Sequence, residues 1–478
     1  MPAEFPLAES FSRFIHFFRI DAAALPRAIA LLDQQRVRRR RGDTPVWVPL
    51  DDAERDGQTR FFLDSVRDYL LDVQGDPQAV TCASRKLGPQ HSNLRDLSTT
   101  LDGRRFEFCV GECELYLFGT GIGALVLELC LEQAGDTRPP TVHDLATFNY
   151  FLRYVEPRQA PRLLVPYRPQ GQPSPSLDPV LTGLRGEHGL TLGEWMALLL
   201  QPLRDAGLAV NAMDERAYKV QSYARIQGAA RLDDLAEPFF LLRRVVKASY
   251  HAAPEELKLE GNPAVVRSFD NVVIGVSLEG LATMVLDTGH PFFAEIGERT
   301  RRAYFAHYLL ALHQRMALAD LAVAAARLPR HRESIPPAEL AQVRQVRNRA
   351  VYFNLHHRLT LVSSSTPHEA VYRRLNETLG ISELSRKVRE DVAEFDEFLR
   401  SHLQEREAEQ ARLLNILVAA FAVVTIPLGT FGMNLAPYGK ASDNSAFILS
   451  GYFWAPVLTA IALMVIVLIF FGRGRSQG

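Results

Sequence analysis

Two long apolar runs lie at the end of this chain and constrain its fold more than any other feature. Residues 413–434 contain no charged residue, and residues 445–471 contain none either. Each run exceeds the about 20 residues that a helix needs to cross the hydrocarbon of a bilayer. A single such run could be a buried core helix, but we expect no comparable run before residue 413. The pair therefore predicts two transmembrane helices joined by a short external loop at residues 435–444.

Cationic residues flank both runs on the same side. Arg406 and Arg412 precede the first run, whereas Arg473 and Arg475 follow the second. Because cationic flanks are retained inside the cell, both termini, including the tail at residues 472–478, are predicted to be cytoplasmic. The start of the chain does not resemble a signal peptide. The sequence thus predicts an integral membrane protein with a large cytoplasmic N-terminal part.

Charge and composition give no sign of a nucleic-acid partner. Lys and Arg number 54 against 55 for Asp and Glu, so the chain has no overall basic excess. One arginine cluster precedes Gly42 and could contact lipid headgroups or nucleic acid, although we favour a solvated helix end before a turn. The cluster consists of Arg36, Arg38, Arg39, Arg40 and Arg41.

No residue pattern in the soluble part indicates an enzyme or a prosthetic group. A nucleophile elbow, an HExxH motif and a P-loop are all lacking, and the pair His356-His357 is interpreted as a helix-surface pair. The glycines Gly119, Gly121 and Gly123 do not have GxGxxG spacing. The four cysteines do not form a zinc set and are interpreted as reduced, partly buried thiols. They are Cys82, Cys109, Cys113 and Cys130.

Residues 1–335 are predicted to form a cytoplasmic α/β domain with a mixed sheet that contains hairpins. Two β-prone runs around glycines predict one hairpin at residues 106–130 and another at residues 272–287. Apolar spacing predicts amphipathic helices at residues 190–206 and 301–327. The Pro-, Gln-, Gly- and Ser-rich segment 166–179 is expected to be a flexible excursion.

Residues 336–412 are predicted to be helical and to end in a long stalk helix. No glycine, and no proline except Pro427, occurs from residue 382 to residue 428, so the stalk is expected to continue unbroken into the first membrane span. An apolar stripe along it would pack on neighbouring helices. The stripe comprises Leu384, Val388, Val392, Phe395, Leu399 and Leu403.

The two spans, the long helix before them and Gly432-Met433-Asn434 at the end of the first span together resemble the CorA family, whose members have two spans and a GxN motif. The resemblance covers about the last 180 residues. It implies a homopentameric divalent-cation channel in a bilayer, here a bacterial inner membrane, with Asn434 forming a ring at the outer mouth of the pore. Five amide oxygens can bind the water shell of Mg²⁺ without removing it.

The resemblance also implies which residues line the pore below that ring. Thr425 matches a polar pore position of the family, although its hydroxyl could instead bond a carbonyl of its own helix. It lies nine residues before Asn434, so both face the pore only if the helix departs from regularity near Pro427, Gly429 and Gly432. Steps of three and four residues continue the pathway inward. They lead to Ala422, Val418, Asn415 and Leu414.

Departures from the family pattern affect the transported ion. Phe431 replaces the usual Tyr, and residues 435–440 lack the acidic residue of the Met-Pro-Glu stretch that typical Mg²⁺ members carry. The nearby charge is Lys440, and Asp443 is the only acid of the loop. The resemblance implies Mg²⁺ as the first substrate. Because of these departures, we keep Zn²⁺, Co²⁺ or Ni²⁺ as alternatives. A second alternative is a membrane scaffold or regulator of the same family with little conductance.

The family implies that divalent ions bound between cytoplasmic subunits close the pore. Carboxylates on the stalk match this region, and Glu394 and Glu397, about ten helical turns below Asn434, are the preferred regulatory ligands. A solvated, self-paired helix surface is the alternative for these acids. No prosthetic group is expected, and divalent cations enter as substrate and regulator.

Overall fold

A computed structural model describes most of the chain. The described residues are 5–39, 42–70, 81–88, 94–95, 97–133, 138–155, 160–163, 189–213, 216–227, 231–328, 337–433, 458, 462 and 465. The chain divides into two compact units, Met1–Glu390 and Asp391–Gly478. The boundary that the sequence suggested at residues 335/336 does not coincide with this division, since residues 337–390 belong to the first unit.

The first unit is built on a mixed sheet of eleven strands. The strands among the described residues are β1 Leu7–Arg19, β2 Arg36–Arg39, β3 Gly42–Pro45, β4 Trp47–Pro49, β5 Cys82–Leu87, β6 Leu97–Leu101, β7 Arg104–Phe118, β8 Ile122–Glu132, β9 Asn211–Ala212, β10 Lys219–Ile226, β11 Val265–Phe269, β12 Val272–Val276 and β13 Gly280–Leu286. The order across the large sheet is β11-β12-β13-β10-β1-β8-β7-β5-β4, with β6 beside β7 and β9 beside β1; β2 and β3 form a separate ribbon. Pairing is antiparallel except between β10 and β13.

Both predicted hairpins are present in this sheet. Strands β7 and β8 pair antiparallel around the turn Gly119-Thr120-Gly121, and β12 pairs with β13. Gly121 has φ of +83°, and a Cβ at this position would lie 2.6 Å from the carbonyl oxygen of Ile20. Only glycine fits such a left-handed, crowded position without strain. The glycines thus form a tight turn, and the strand predicted to follow them is β8.

Helices follow and separate the strands. They are α1 Leu25–Gln34, α2 Asp52–Thr59, α3 Asp64–Leu70, α4 Val142–Leu152, α5 Leu192–Asp205, α6 Ala236–Arg244, α7 Pro254–Leu257, α8 Pro291–Ala294, α9 Ile296–Arg299, α10 Phe305–Ala326, α11 Pro337–His356, α12 Thr366–Thr378 and α13 Ile381–Met433, with 3-10 turns at Ala22–Ala24 and Leu232–Leu235 and a π-helical turn at Thr300–Tyr304. Capping boxes fix the starts of α2, α4 and α5, where Asp51, Thr141 and Thr191 bond the residue three positions on.

Helices lie on both faces of the large sheet because side chains alternate along its strands. On one face, Phe14 and Phe18 of β1 join a core with Phe148 of α4 and Trp195 of α5. On the other face, the guanidinium of Arg13 lies 4.5 Å from the ring centre of Phe305 in α10. The first unit is therefore an α/β domain with a buried sheet, as predicted. Within it, the segment predicted as a flexible excursion, residues 166–179, lies outside the described residues.

The helical stretch Pro291–Ala326 differs from expectation in two respects. Among the described residues it is the one helix long and apolar enough to cross a membrane, with mean hydropathy 1.3, so a comparable run does precede residue 413. However, 67% of its apolar window is buried within the protein, which is typical of a core helix. Residues 303–314 are buried on every side, so the helix is not amphipathic as predicted.

The arginine cluster also differs from expectation. Arg36–Arg39 form β2, which pairs with β3 in the separate ribbon, instead of ending a helix. Helix α1 already ends at Gln34, because the backbone of Gln35 is extended. Arg40 and Arg41 lie outside the described residues.

Candidate functional site

Helix α13 carries the predicted ion pathway. It runs for 53 residues from Ile381 to Met433, so the expectation of an unbroken helix over residues 382–428 is confirmed. In its first turns the predicted apolar stripe is present in part: Val388 and Phe395 are buried, and Leu384 and Val392 are half-buried. The sequence alone therefore located the long helix and the face that it buries.

Four of the predicted pathway residues share one side of α13. At about 100° per residue, Leu414, Val418, Ala422 and Thr425 fall within an arc of about 80°, and Asn415 lies about 100° from Leu414. All five are exposed; Leu414 is 63% exposed and Val418 60%. Their spacing thus gives one continuous, mainly apolar strip on the helix.

The outer end of the pathway is described as far as Met433. Gly432 and Met433 belong to α13, and the helix is not interrupted at Pro427, Gly429 or Gly432. The predicted departure from helix therefore does not occur before Asn434, which lies outside the described residues, as do residues 435–444. The Thr425 hydroxyl donates a hydrogen bond of 2.6 Å to the carbonyl of Phe421. Backbone bonding, the alternative role of Thr425, is thus present in the single chain.

Apolar side chains are exposed around the second half of α13. Leu413, Leu417 and Phe421 are exposed by 62%, 56% and 69%, in addition to Leu414 and Val418. In the second apolar run, Leu458, Ala462 and Val465 are helical and exposed. A helix that is apolar around its circumference is buried in a membrane or a large core. Within the described part of the chain, these side chains lack a covering partner.

The predicted regulatory acids are also exposed on α13. Glu394 and Glu397 are three residues apart and so lie on one side of the helix. Within the residues that the structure describes, no three His, Cys, Asp or Glu side chains are arranged to hold a metal ion. Within one chain, Glu394 and Glu397 together supply two carboxylate groups to a metal ion.

A buried ion cluster, not anticipated from the sequence, ties the sheet to the helix stretch that begins at Pro291. Arg13 of β1 is 0% exposed and contacts three glutamates: Nε lies 2.8 Å from Glu128, Nη1 3.3 Å from Glu114 and Nη2 2.8 Å from Glu112. Glu128 lies directly opposite Arg13 across the β1–β8 pair. A Cβ on Gly111 would lie 2.6 Å from Glu128 Oε1, so glycine there makes room for the carboxylate.

Two arginines from the π-helical turn complete this cluster. Arg302 binds Glu112 with two nitrogens, at 2.7 and 3.0 Å, and Arg301 Nε lies 3.1 Å from Glu128. Paired, bidentate contacts of this kind have a fixed geometry. Glu298 also binds this pair, at 2.9 Å from Arg301 Nη1 and 3.0 Å from Arg302 Nε, so three arginines meet four glutamates.

The electrostatics of this cluster favour the charged forms of its arginines. Burial alone would lower the pKa of Arg13, but Glu114, Glu128 and Glu112 outweigh it and raise that pKa. Burial raises the pKa of Glu114, and Arg13 opposes this shift. The cluster therefore depends on every member, since a glutamate left without its arginine would be a buried, uncompensated charge.

A sequence signal for this cluster did exist. Arg13 lies next to the aromatic run that begins at Phe14, Glu128 interrupts an apolar strand, and Glu112 and Glu114 alternate with Gly111 and Cys113 in a third strand. Lone charges in buried strands require partners. The pattern predicts that these charged side chains have partners. It does not predict which ones, because Arg13 and its glutamates are 99 to 115 residues apart in sequence and meet only in the folded sheet.

Four histidines are buried near the same helices. Tyr69 of α3 hydrogen-bonds with Nδ1 of His357 at 2.6 Å and with Nδ1 of His313 at 3.3 Å. His307 and His368 lie close by, with ring centres 5.5 Å apart. The interpretation of His356-His357 as a surface pair is therefore wrong for His357, which is 0% exposed.

These histidines are uncharged at neutral pH. Burial lowers the pKa of His307 to about 3, that of His357 to about 3 and that of His368 to about 4. Burial also lowers the pKa of His313 well below its usual range. Nε2 of His307, His357 and His368 is buried without a hydrogen-bond partner in the described structure. The four rings are thus neutral elements of the core.

The cysteines agree with their interpretation as free thiols. Cys82 and Cys113 are buried, and Cys109 and Cys130 are half-buried. Cys109 lies opposite Cys130 across the β7–β8 pair.

Comparison with known proteins identifies no family. No family model matches the chain, and no curated protein sequence matches it. Among solved structures, the full-length CmaX protein is similar, with 14% identity, a TM-score of 0.23, and coverage of 54% of this chain and 89% of CmaX. A TM-score this low carries no argument about fold or function. The resemblance to the CorA family therefore stays a prediction from the sequence.

Proposed function

We propose that this chain is a homopentameric channel for divalent metal cations, with Mg²⁺ as the first substrate, and that its N-terminal domain gates the channel. The observation that carries the proposal is helix α13. It reaches Met433, next to Asn434, and the described part of its last 21 residues exposes Leu413, Leu417 and Phe421. Exposed apolar surface of this extent favours a membrane or subunit interface.

The proposal takes residues 413–434 and 445–471 as the two membrane spans. Leu414, Val418, Ala422 and Thr425 then form the pore side of the first span. Because the helix is regular as far as Met433, and nine residues of regular helix would place Asn434 about 180° from Thr425, the proposal requires the backbone to leave the helix after Met433. Such a narrow apolar conduit can close by excluding water. Asn434 presents neutral amide oxygens to a hydrated cation, which suits an ion that dehydrates reluctantly.

Replacement of Asn434 by alanine is expected to reduce divalent-cation flux at least about tenfold, because it removes the amide ring at the mouth. The measurement is uptake into liposomes that contain the purified full-length protein. Asn444→Ala is the matched control, since it deletes an amide from the adjoining segment without touching the motif. Equal loss in both variants, or no loss in Asn434→Ala, would contradict the assignment of Asn434.

We further propose that Glu394 and Glu397 bind the regulatory cation together with acids of neighbouring subunits. Oxygen ligands from two chains would supply the coordination that one chain lacks. In Glu394→Ala/Glu397→Ala, flux is expected to lose its inhibition by millimolar cytoplasmic Mg²⁺. The control pair Glu407→Ala/Glu409→Ala changes two exposed acids of the same helix. Unchanged inhibition in the first pair would refute the site.

The transported ion is measured separately, because residues 435–440 contain Lys440 and lack the acid that typical Mg²⁺ members carry after the motif. Faster flux of Zn²⁺, Co²⁺ or Ni²⁺ than of Mg²⁺ would identify the chain as a transporter of that metal instead of Mg²⁺. The absence of flux of any divalent ion from inserted, folded protein would favour a scaffold or regulator.

A further inference from the structure

A cavity of about 800 Å³ lies in the first unit, between helices α10 and α11. The end of β1 and the turn between β7 and β8 close its base, where Arg19, Gly119 and Gly121 line it. Cavities of about 300–1,000 Å³ are the usual size for small-molecule sites. The cavity is separate from the helix strip that we assign to the ion pathway.

Three arginines give the cavity a positive charge. Arg19, Arg327 and Arg349 line it, against two carboxylates, Asp21 and Asp320. The lining therefore carries a net charge of +1, from three positive and two negative side chains. Such a lining favours an anionic ligand.

One carboxylate holds two of these arginines in place. Asp320 of α10 binds Arg19 through Oδ1 at 2.5 Å and Arg349 through Oδ2 at 2.7 Å. Asp320 is itself only 8% exposed, so its buried carboxylate fixes the positions of the two guanidinium groups. Each guanidinium has five donor hydrogens, more than this contact uses. Nε of Arg19 is buried and has no hydrogen-bond partner in the described structure.

Arg327 is the cavity arginine whose guanidinium is available to bind a ligand. Its side chain forms no hydrogen bond or ion pair with any residue that the structure describes, and it lies just after the end of α10. Asp21, in contrast, is occupied, because its side chain accepts a bond from the backbone N–H of Ala23. A guanidinium without a carboxylate suits a phosphate, which it can bind with two parallel hydrogen bonds.

The two helix walls of the cavity differ in character. Helix α11 contributes Gln345, Asn348, Arg349 and Tyr352, whose spacing of three and four residues makes one polar face with an aromatic ring. Helix α10 contributes mainly small or apolar residues to the opposite wall, namely Ala317, Leu321, Val323 and Ala324. An apolar wall in a cavity that also holds a tyrosine and two amides suits a planar heteroaromatic ring.

We infer that this cavity binds a nucleotide, with its phosphate on Arg327, Arg19 and Arg349 and its base between Tyr352 and the α10 wall. The inference does not depend on the ion pathway, because every residue in it belongs to the first unit. It assigns the glycine turn Gly119-Thr120-Gly121 to the base of the site and does not make it a phosphate loop.

Isothermal titration calorimetry on the purified full-length chain tests the inference. The four ribonucleoside 5′-monophosphates, the four nucleosides and inorganic phosphate are titrated separately. At least one nucleotide is expected to bind at least about tenfold more tightly than its nucleoside and than phosphate, because both halves of the cavity then contribute. Arg327→Gln is expected to weaken that nucleotide at least about tenfold, and Tyr352→Leu is expected to weaken the nucleotide but not phosphate.

Arg344→Gln is the matched control, since Arg344 is exposed on the same helix and does not line the cavity. It is expected to leave nucleotide affinity unchanged. Lack of binding by any nucleotide, nucleoside binding equal to nucleotide binding, or equal weakening by Arg344→Gln and Arg327→Gln would each overturn the inference. Phosphate binding as tight as nucleotide binding would overturn the aromatic half of the site and, with it, the assignment to nucleotides.

Discussion

Replacement of Arg13 by methionine is expected to lower the free energy of unfolding of the first unit by about 3–5 kcal/mol, because it strands buried carboxylates without their cation. Arg13 is fully buried, and Glu114 and Glu128 are 1% and 2% exposed. Methionine has a similar apolar stem, so the change removes mainly charge and hydrogen bonds. Denaturant unfolding of the full-length chain, followed by tryptophan fluorescence, measures the shift in midpoint.

Two comparisons separate the lost charge from lost packing. Arg104→Met removes an arginine that is 65% exposed and pairs with Asp144 at 3.4 Å, so it is expected to change stability by less than about 1 kcal/mol. Arg13→Met combined with Glu114→Gln neutralises one stranded acid and is expected to recover part of the loss. A loss below about 1 kcal/mol in Arg13→Met alone would show that the buried ion cluster does not stabilise the fold as described.

Acid is expected to destabilise the first unit as the pH falls from about 6.5 to 5, before most carboxylates titrate. The four buried histidines have pKa values lowered by burial, to about 3 for His307 and His357 and about 4 for His368. Between these values and the unfolded value near 6.5, the unfolded chain binds more protons than the folded chain. Stability therefore rises with pH in this window and is lost as the pH falls.

The expected loss is large. At pH 5 each neutral buried histidine costs about 2 kcal/mol, since the pH is about 1.5 units below the unfolded pKa and each unit corresponds to about 1.4 kcal/mol. Four such groups approach the whole stability of a typical domain, which is about 5–15 kcal/mol. The measurement is the free energy of unfolding from pH 8 to pH 5 by denaturant titration.

Single substitutions locate the effect. His368→Gln removes one buried titrating ring and is expected to reduce the loss between pH 7 and pH 5 by about 2 kcal/mol. His251→Gln changes an exposed histidine outside this group and is expected to leave the pH dependence as it is in the wild type. A stability that stays constant from pH 7 to pH 5 would show that the four rings are not held neutral in the folded protein.

Local patterns predicted the elements whose partners lie close in sequence. Gly119, Gly121 and Gly123 marked one hairpin turn and Gly280 marked another, because tight turns have local requirements. The absence of breakers from Ser382 onward marked the long helix α13 for the same reason. Both depend on a few neighbouring residues.

Long-range packing determined what the sequence did not predict. His357, just after α11, looks like a surface residue, but Tyr69, 288 residues away, makes it part of the core. Arg13 meets its three glutamates only because β1 lies beside β8 in the sheet. Residues 303–314 of the helix stretch Pro291–Ala326 are buried on all sides, so the apolar residues there show no period that would reveal the neighbours.

The candidate pathway was predictable as a set of positions on one helix, since spacing alone places Leu414, Val418 and Thr425 on one side. The hydrogen bond from Thr425 to Phe421 was foreseen only as an alternative. The surroundings of the exposed apolar half of α13 depend on subunit assembly and on the solvent. Residue spacing within one chain does not specify either of them.

Ion flux into liposomes that contain the purified wild-type protein tests the central claim most directly. Mg²⁺, Zn²⁺, Co²⁺ and Ni²⁺ are compared at equal gradients, with protein-free liposomes as the baseline and protease protection as proof of insertion. The account predicts Mg²⁺ uptake well above the baseline. Flux of none of the four ions through folded, inserted protein would contradict the assignment of this chain as a divalent-cation channel.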